Sequence, residues 1–168
     1  PLGPVKQVTA ADVNGDGRVD LLAPQESPKA GGIDKAFINL LVNKGNQEFE
    51  LIELGFPGKP RAEGGMPGIR ALDTAVDQDG KRYIFAAGYD GYVLYQITPD
   101  DPLGTVPTRY LPFEGRDAIF EALLRDMDGD GWLDAVVARG RDKSAGLVIY
   151  GPLWENFLQH ANEQEKTP

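Results

Sequence analysis

The chain has 168 residues, enough for about one domain with a core of its own, and its 41% apolar and 26% charged content is that of a globular protein. A net charge of −9 argues against nucleic acid or an anionic membrane surface as a partner, and the absence of cysteine excludes disulfides. High glycine and proline, 21 and 13 residues, predict many turns and short strands rather than a helical bundle.

In chain order, PLGPVKQ lacks the form of a signal peptide, and no apolar run approaches the ~20 residues of a membrane helix. Val5 to Ala11 alternates loosely and leads into Asp12-Val13-Asn14-Gly15-Asp16-Gly17-Arg18-Val19-Asp20. Oxygen-bearing side chains stand at positions 1, 3, 5 and 9 of this stretch. Alternate residues in a tight loop can aim their oxygens at one point, and a hard cation taking six to eight oxygens relieves the repulsion. Glycine at position 6 permits the positive-φ turn that wraps the chain.

The apolar residues that follow, Leu21-Leu22-Ala23, predict a strand stopped by Pro24. An EF-hand needs an acid at position 12 and then an amphipathic helix, whereas position 12 is Ala23. The loop is therefore expected to join two strands. A polar excursion, Gln25 to Gly32, precedes a strand over Ala36–Val42. A turn at Asn43–Asn46 and a returning strand over Glu48–Leu54 complete a four-stranded antiparallel meander.

After a Gly/Pro linker carrying Lys59 and Arg61, the pattern restarts in degraded form. Ala71–Val76 leads to Asp77-Gln78-Asp79-Gly80, then to strands over Arg82–Ala87 and Val93–Ile97, with a hairpin turn at Tyr89–Tyr92. Aligned on the Asp-Gly pair, Ala75 stands at the first ligand position and Tyr83 at the last, so a third metal site at Asp77/Asp79 is doubtful. Thr108–Phe113 is the expected fourth strand, its Pro112 suiting an edge.

The third copy is the cleanest. A strand over Ala118–Leu124 enters Asp126-Met127-Asp128-Gly129-Asp130-Gly131-Trp132-Leu133-Asp134, and strands over Leu133–Ala138 and Leu147–Tyr150 leave it. Position 12 is Val137. Trp154–His160 reads as a short helix. Asp-Gly pairs beginning at Asp16, Asp79 and Asp130 are 63 and 51 residues apart. The expectation is an all-β chain of about three blades of a β-propeller type, each of four antiparallel strands, near 5–54, 69–113 and 117–152, with a C-terminal helix and tail over 153–168.

The segments ADVNGDGRVDLLA and LRDMDGDGWLDAVVA, with strands such as AFINLLVNKGNQEFELIEL, resemble FG-GAP/VCBS repeats, found in integrin alpha-subunit propellers and in secreted bacterial proteins. The resemblance spans about Val5 to Tyr150. It implies blades whose first two strands are joined by a Ca²⁺ loop. It also implies ligands from the side chains of Asp12, Asn14, Asp16 and Asp20 with the Arg18 carbonyl, and from Asp126, Asp128, Asp130 and Asp134 with the Trp132 carbonyl. Three blades cannot close a ring, since closed propellers have ~4–8. Association with copies of itself or with another protein is therefore expected.

The reading that follows is a calcium-stabilised module for protein binding or assembly, extracellular, at the cell surface or periplasmic, with the metal mainly structural. The alternatives are acidic turns without metal, a carbohydrate-binding module using Tyr83, Tyr89, Tyr92, Tyr95 or Trp132, or part of a polysaccharide-active enzyme. No catalytic constellation is expected: His160 is the only histidine, and the only serines, Ser27 and Ser144, fall in expected loops.

Overall fold

A computed structural model describes residues 7–27, 35–57, 68–89, 91–97, 106, 108–112, 119–140 and 146–159. Among these described residues, eleven strands form three antiparallel sheets, and a one-turn helix follows them. The first sheet is a meander of β1 (Thr9–Ala11), β2 (Asp20–Ser27), β3 (Lys35–Gly45) and β4 (Glu48–Gly55). The second repeats that order with β5 (Ile69–Val76), β6 (Arg82–Gly88), β7 (Gly91–Ile97) and β8 (Thr108–Pro112). The third has three strands among the described residues: β9 (Ile119–Arg125), β10 (Asp134–Arg139) and β11 (Gly146–Ile149), ahead of α1 (Leu153–Asn156). The sheets do not close into a barrel or ring.

Sheet-on-sheet packing supplies the core. One apolar layer, with Leu22, Ile38 and Leu40 on one side and Ile84, Val93 and Tyr95 on the other, joins the first sheet to the second. A second layer joins the opposite face of the second sheet, through Phe85, Tyr92 and Leu94, to Leu124, Ala135, Val137 and Ile149 of the third. Phe157, just past α1, seats its ring edge-on against Phe85 with centroids 6.1 Å apart. The second sheet is thus covered on both faces. Its strands β6 and β7 are buried almost throughout, which is why Tyr-Ile-Phe-Ala-Ala and Tyr-Val-Leu-Tyr read as unbroken apolar runs. Polar links cross these layers too. The Asp73 carboxylate accepts from Leu124 N at 3.0 Å and pairs with Arg125 at 3.0 Å, and the Tyr95 hydroxyl donates to Gly55 O at 2.8 Å.

Strand register makes the sheets comparable residue by residue. Asp20, Tyr83 and Asp134 each stand four residues after the aspartate of their Asp-Gly pair and face Ala11, Ala75 and Arg125. The first and last of these pairs close the first hairpin of their sheets, whereas Val76 with Arg82 closes that of the second. On that basis Leu21, Ile84 and Ala135 are equivalent. So are their neighbours Leu22, Phe85 and Val136, which point to the opposite face.

Three details differ from the expectations. β2 runs through Pro24, which pairs with Ile38, instead of stopping there. β1 has already ended, last pairing Thr9 with Leu22, so Pro24 lies where β2 is an edge on that side, a setting that tolerates a residue with no N–H. β3 continues to Gly45, and the hairpin turns at Asn46 and Gln47, whose φ values of 52° and 66° suit the primed turn that matches strand twist. Ser27 ends a strand instead of lying in a loop. Pro112 does sit on an edge strand, as its residue type demands. Lys59, Arg61, Ser144 and His160 lie outside the described residues.

Candidate metal centre

The loops 12–19 and 126–133 share one backbone design. In each, the second glycine of Gly-Asp-Gly and the first both adopt left-handed φ: 81° at Gly15 and Gly17, 82° at Gly129 and 91° at Gly131. Side chains at positions 1, 3 and 5 then accept from backbone N–H groups further along the loop. Asp12 takes Gly15 N at 2.7 Å and Gly17 N at 3.0 Å; Asp126 takes Gly129 N and Gly131 N at the same distances. Asn14 Oδ1 accepts from Asp16 N, and Asp128 Oδ1 from Asp130 N, both at 3.1 Å. Asp16 accepts from Arg18 N at 2.9 Å and Asp130 from Trp132 N at 2.8 Å. These bonds pull the side chains of positions 1, 3 and 5 to the inside of one turn. In the third sheet, carboxylate oxygens of Asp126, Asp128 and Asp130 lie within 4.8 Å of one another, exposed to solvent.

Position 9 is built differently. Asp20 and Asp134 are completely buried, and both oxygens of each carboxylate accept from the backbone. Asp20 takes Val13 N at 3.0 Å and Asn43 N at 2.8 Å; Asp134 takes Met127 N at 2.7 Å and Gly151 N at 2.8 Å. One oxygen therefore pins the loop's second residue; the other pins the last part of the third strand at Asn43 in the first sheet and the chain just past the third strand at Gly151 in the third. The aspartate fastens the loop to its sheet. This role has no sequence signal to separate it from ligation, because position 9 carries the same residue type as positions 1 and 5. The donors Asn43 and Gly151 were not among the expected site residues.

The two loops differ in charge. Arg18 at position 7 reaches back to Asp16, its Nη2 2.5 Å from Oδ2, while its Nε donates to Asn43 O at 2.7 Å. The Asn14 amide donates to the same Asp16 oxygen at 2.9 Å. The Asp16 carboxyl is held below the usual carboxylate range, first by the Arg18 backbone N–H, with the Asn14 amide and the Arg18 charge adding to it against a smaller opposing effect of burial. The Arg82 guanidinium of the middle sheet lies over Gly15, where an added Cβ would come within 2.8 Å of it. The third loop has Trp132 at position 7, half-buried against Gly151, and a neutral neighbour, the Gln78 carboxamide, at Gly131. Arg18 against Trp132 was visible in the sequence as the signal for this asymmetry.

The middle loop holds a turn of its own. Asp77 is buried, its carboxylate accepting from Asp79 N and Lys81 N at 2.9 Å and from the Tyr83 hydroxyl at 3.2 Å. Val76 pairs with Arg82, so the loop proper is 77–81, five residues against eight in each flanking loop, and Asp77 is the residue that stands directly after the closing pair, as Asp12 and Asp126 do. Burial first, then the Asp77 charge, pushes the Tyr83 hydroxyl well above the ordinary tyrosine range. A cleft of about 300 Å³ separates this turn from the first loop, lined in part by Asp12, Val13, Thr74, Val76 and Arg82.

The tyrosine platform considered for sugar stacking does not exist. Tyr83, Tyr92 and Tyr95 are buried in the two core layers, because the middle sheet has no free face, and Tyr89 carries the Arg70 guanidinium 4.2 Å above its ring. In comparison with other proteins, no family model, no curated protein and no solved structure matches the chain.

Proposed function

We propose that this chain is a calcium-binding module of FG-GAP/VCBS-like, propeller-type blades, serving protein binding or assembly outside the cytoplasm, at the cell surface or in a periplasm. One observation supports it above the rest. Two loops 114 residues apart, Asp12 to Asp126, repeat the same glycine conformations and side-chain-to-backbone bonds, which hold oxygens at positions 1, 3 and 5 on the inside of a turn. Three carboxylates within 4.8 Å repel unless a cation or protons intervene, and an all-oxygen set suits Ca²⁺. The ion's role in this reading is structural: it ties the first two strands of a blade where the loop would otherwise open.

Thermal unfolding with excess EDTA and with added CaCl₂ tests the reading. The melting temperature is expected to fall by many degrees in chelator, and Asp128→Ala should reproduce much of that fall. Equal melting temperatures in the two solutions, with no calcium heat by calorimetry, would sink it.

A further inference from the structure

Each internal interface joins one particular face of a sheet to the opposite face of the next. The Leu22–Leu40 face of the first sheet packs on the Ile84–Tyr95 face of the second. The Phe85–Leu94 face of the second packs on the Ala135–Ile149 face of the third. Counted from the Asp-Gly pairs at Asp16, Asp79 and Asp130, Leu22, Phe85 and Val136 are equivalent, as are Leu21, Ile84 and Ala135. The same kind of face is thus presented forward, and the same kind received, at both interfaces. Among the described residues, one face of each kind is left over. On the third sheet it is the row Leu123–Val136–Val148, cross-strand partners with Leu123 37% exposed and the other two half-exposed. On the first sheet it is Ala10–Leu21–Leu41–Leu51, also cross-strand partners, with Leu51 51% and nearby Phe49 46% exposed.

We infer that the outer face of the third sheet seats on the outer face of the first sheet of a second copy of this chain, head to tail. The occupant is argued from continuity. The two free faces are the complementary types that already pack twice within the chain, and Val136–Val148 stands to Leu21–Leu41 as Phe85–Leu94 stands to Ala135–Ile149. Two copies of one face would instead juxtapose equivalent surfaces that never meet inside the molecule. Such a contact is heterologous, so it gives a ring where the rotation closes and a filament where it does not. The inference rests on reading the sheets as repeated blades, and it specifies the partner of that assembly module.

The chain has no cysteine, so single thiols report contacts cleanly. Leu41→Cys and Val148→Cys proteins, mixed and mildly oxidised, are expected to form the mixed disulfide several-fold in excess of either homodisulfide. Light scattering of the unmodified chain should exceed the 18.2 kDa monomer and fall to it in Leu51→Asp, whose position is solvent-exposed in the single chain and not part of its core. A monomer at the highest attainable concentration, or Leu41→Cys homodisulfide in excess, overturns the inference. Calcium calorimetry on Leu51→Asp separates the two readings: retained calcium binding in a monomer leaves the metal proposal intact whatever the cross-linking shows, and association without calcium binding leaves the interface intact.

Discussion

The loops at 12–20 and 126–134 have the same backbone, the same buried anchor and different charge. In the first, a guanidinium from position 7 and an amide from position 3 already occupy the Asp16 carboxylate, and a second guanidinium, Arg82, lies over Gly15. In the third, three carboxylates face one another with a neutral carboxamide beside them. Loop shape and loop charge are therefore separable properties here. Shape comes from glycines, local side-chain bonds and the aspartate at position 9; charge comes from position 7 and from the neighbouring sheet.

The shared part is broken most severely at the anchor. Asp134→Ala and Asp20→Ala each remove two charge-assisted bonds from a buried carboxylate and leave two buried or part-buried N–H groups without their acceptor, an expected loss of about 3–5 kcal/mol in urea unfolding. Both substitutions should cost similar amounts with or without calcium. An anchor effect that vanishes in EDTA would make position 9 a ligand before a fastener.

The unshared part is smaller and concerns affinity. With the third loop silenced by Asp128→Ala, Arg18→Gln is expected to tighten calcium binding at the first loop by up to about fivefold, since an exposed ion pair is worth no more than about 1 kcal/mol. Calorimetry would read it. An unchanged affinity means that Arg18 swings away at no cost and that the two loops are electrostatically alike.

The middle sheet extends the comparison to a different anchor. Tyr83 stands where Asp20 and Asp134 stand, and it must keep its proton to donate to Asp77. Burial also raises Tyr95 far above the ordinary range. Raised folded-state values mean that the folded protein holds these protons after the unfolded chain has released them. Stability is then fully present below about pH 10, the unfolded tyrosine value, and falls as pH rises beyond it, by up to about 1.4 kcal/mol per pH unit for each tyrosine. Tyr95→Phe should flatten the alkaline limb of a urea-midpoint profile, at the cost of the bond to Gly55.

Much of this was legible in the residues. Alternation and turn chemistry place nearly all of the strands, because strand period and glycine φ are local properties. The meander follows from short connections such as that between β3 and β4. The spacing of Asp126, Asp128 and Asp130 marked a cluster that the fold does assemble. What was not legible depends on partners far along the chain. Asp134 differs from Asp126 only in where Met127 N and Gly151 N fall. Tyr92 and Tyr95 differ from surface aromatics only because a sheet lies on each side of them. The unbroken apolar run over β6 and β7 carried that information, and it is easily mistaken for ordinary strand propensity. The shortening of the middle loop to residues 77–81 is set by the pairing of Val76 with Arg82, which an alignment on Asp-Gly hides.

The double covering of β6 and β7 has a consequence for how the molecule opens. Amide hydrogens in an end sheet are released once one layer separates, whereas those of the middle sheet stay protected until both layers have gone. In a linear stack whose units touch only their neighbours, opening proceeds from the ends inward. In the monomeric Leu51→Asp chain, deuterium should therefore enter the first and third sheets well before the backbone of Ile84, Phe85, Val93 and Leu94, whose exchange reports the unfolding of the whole chain.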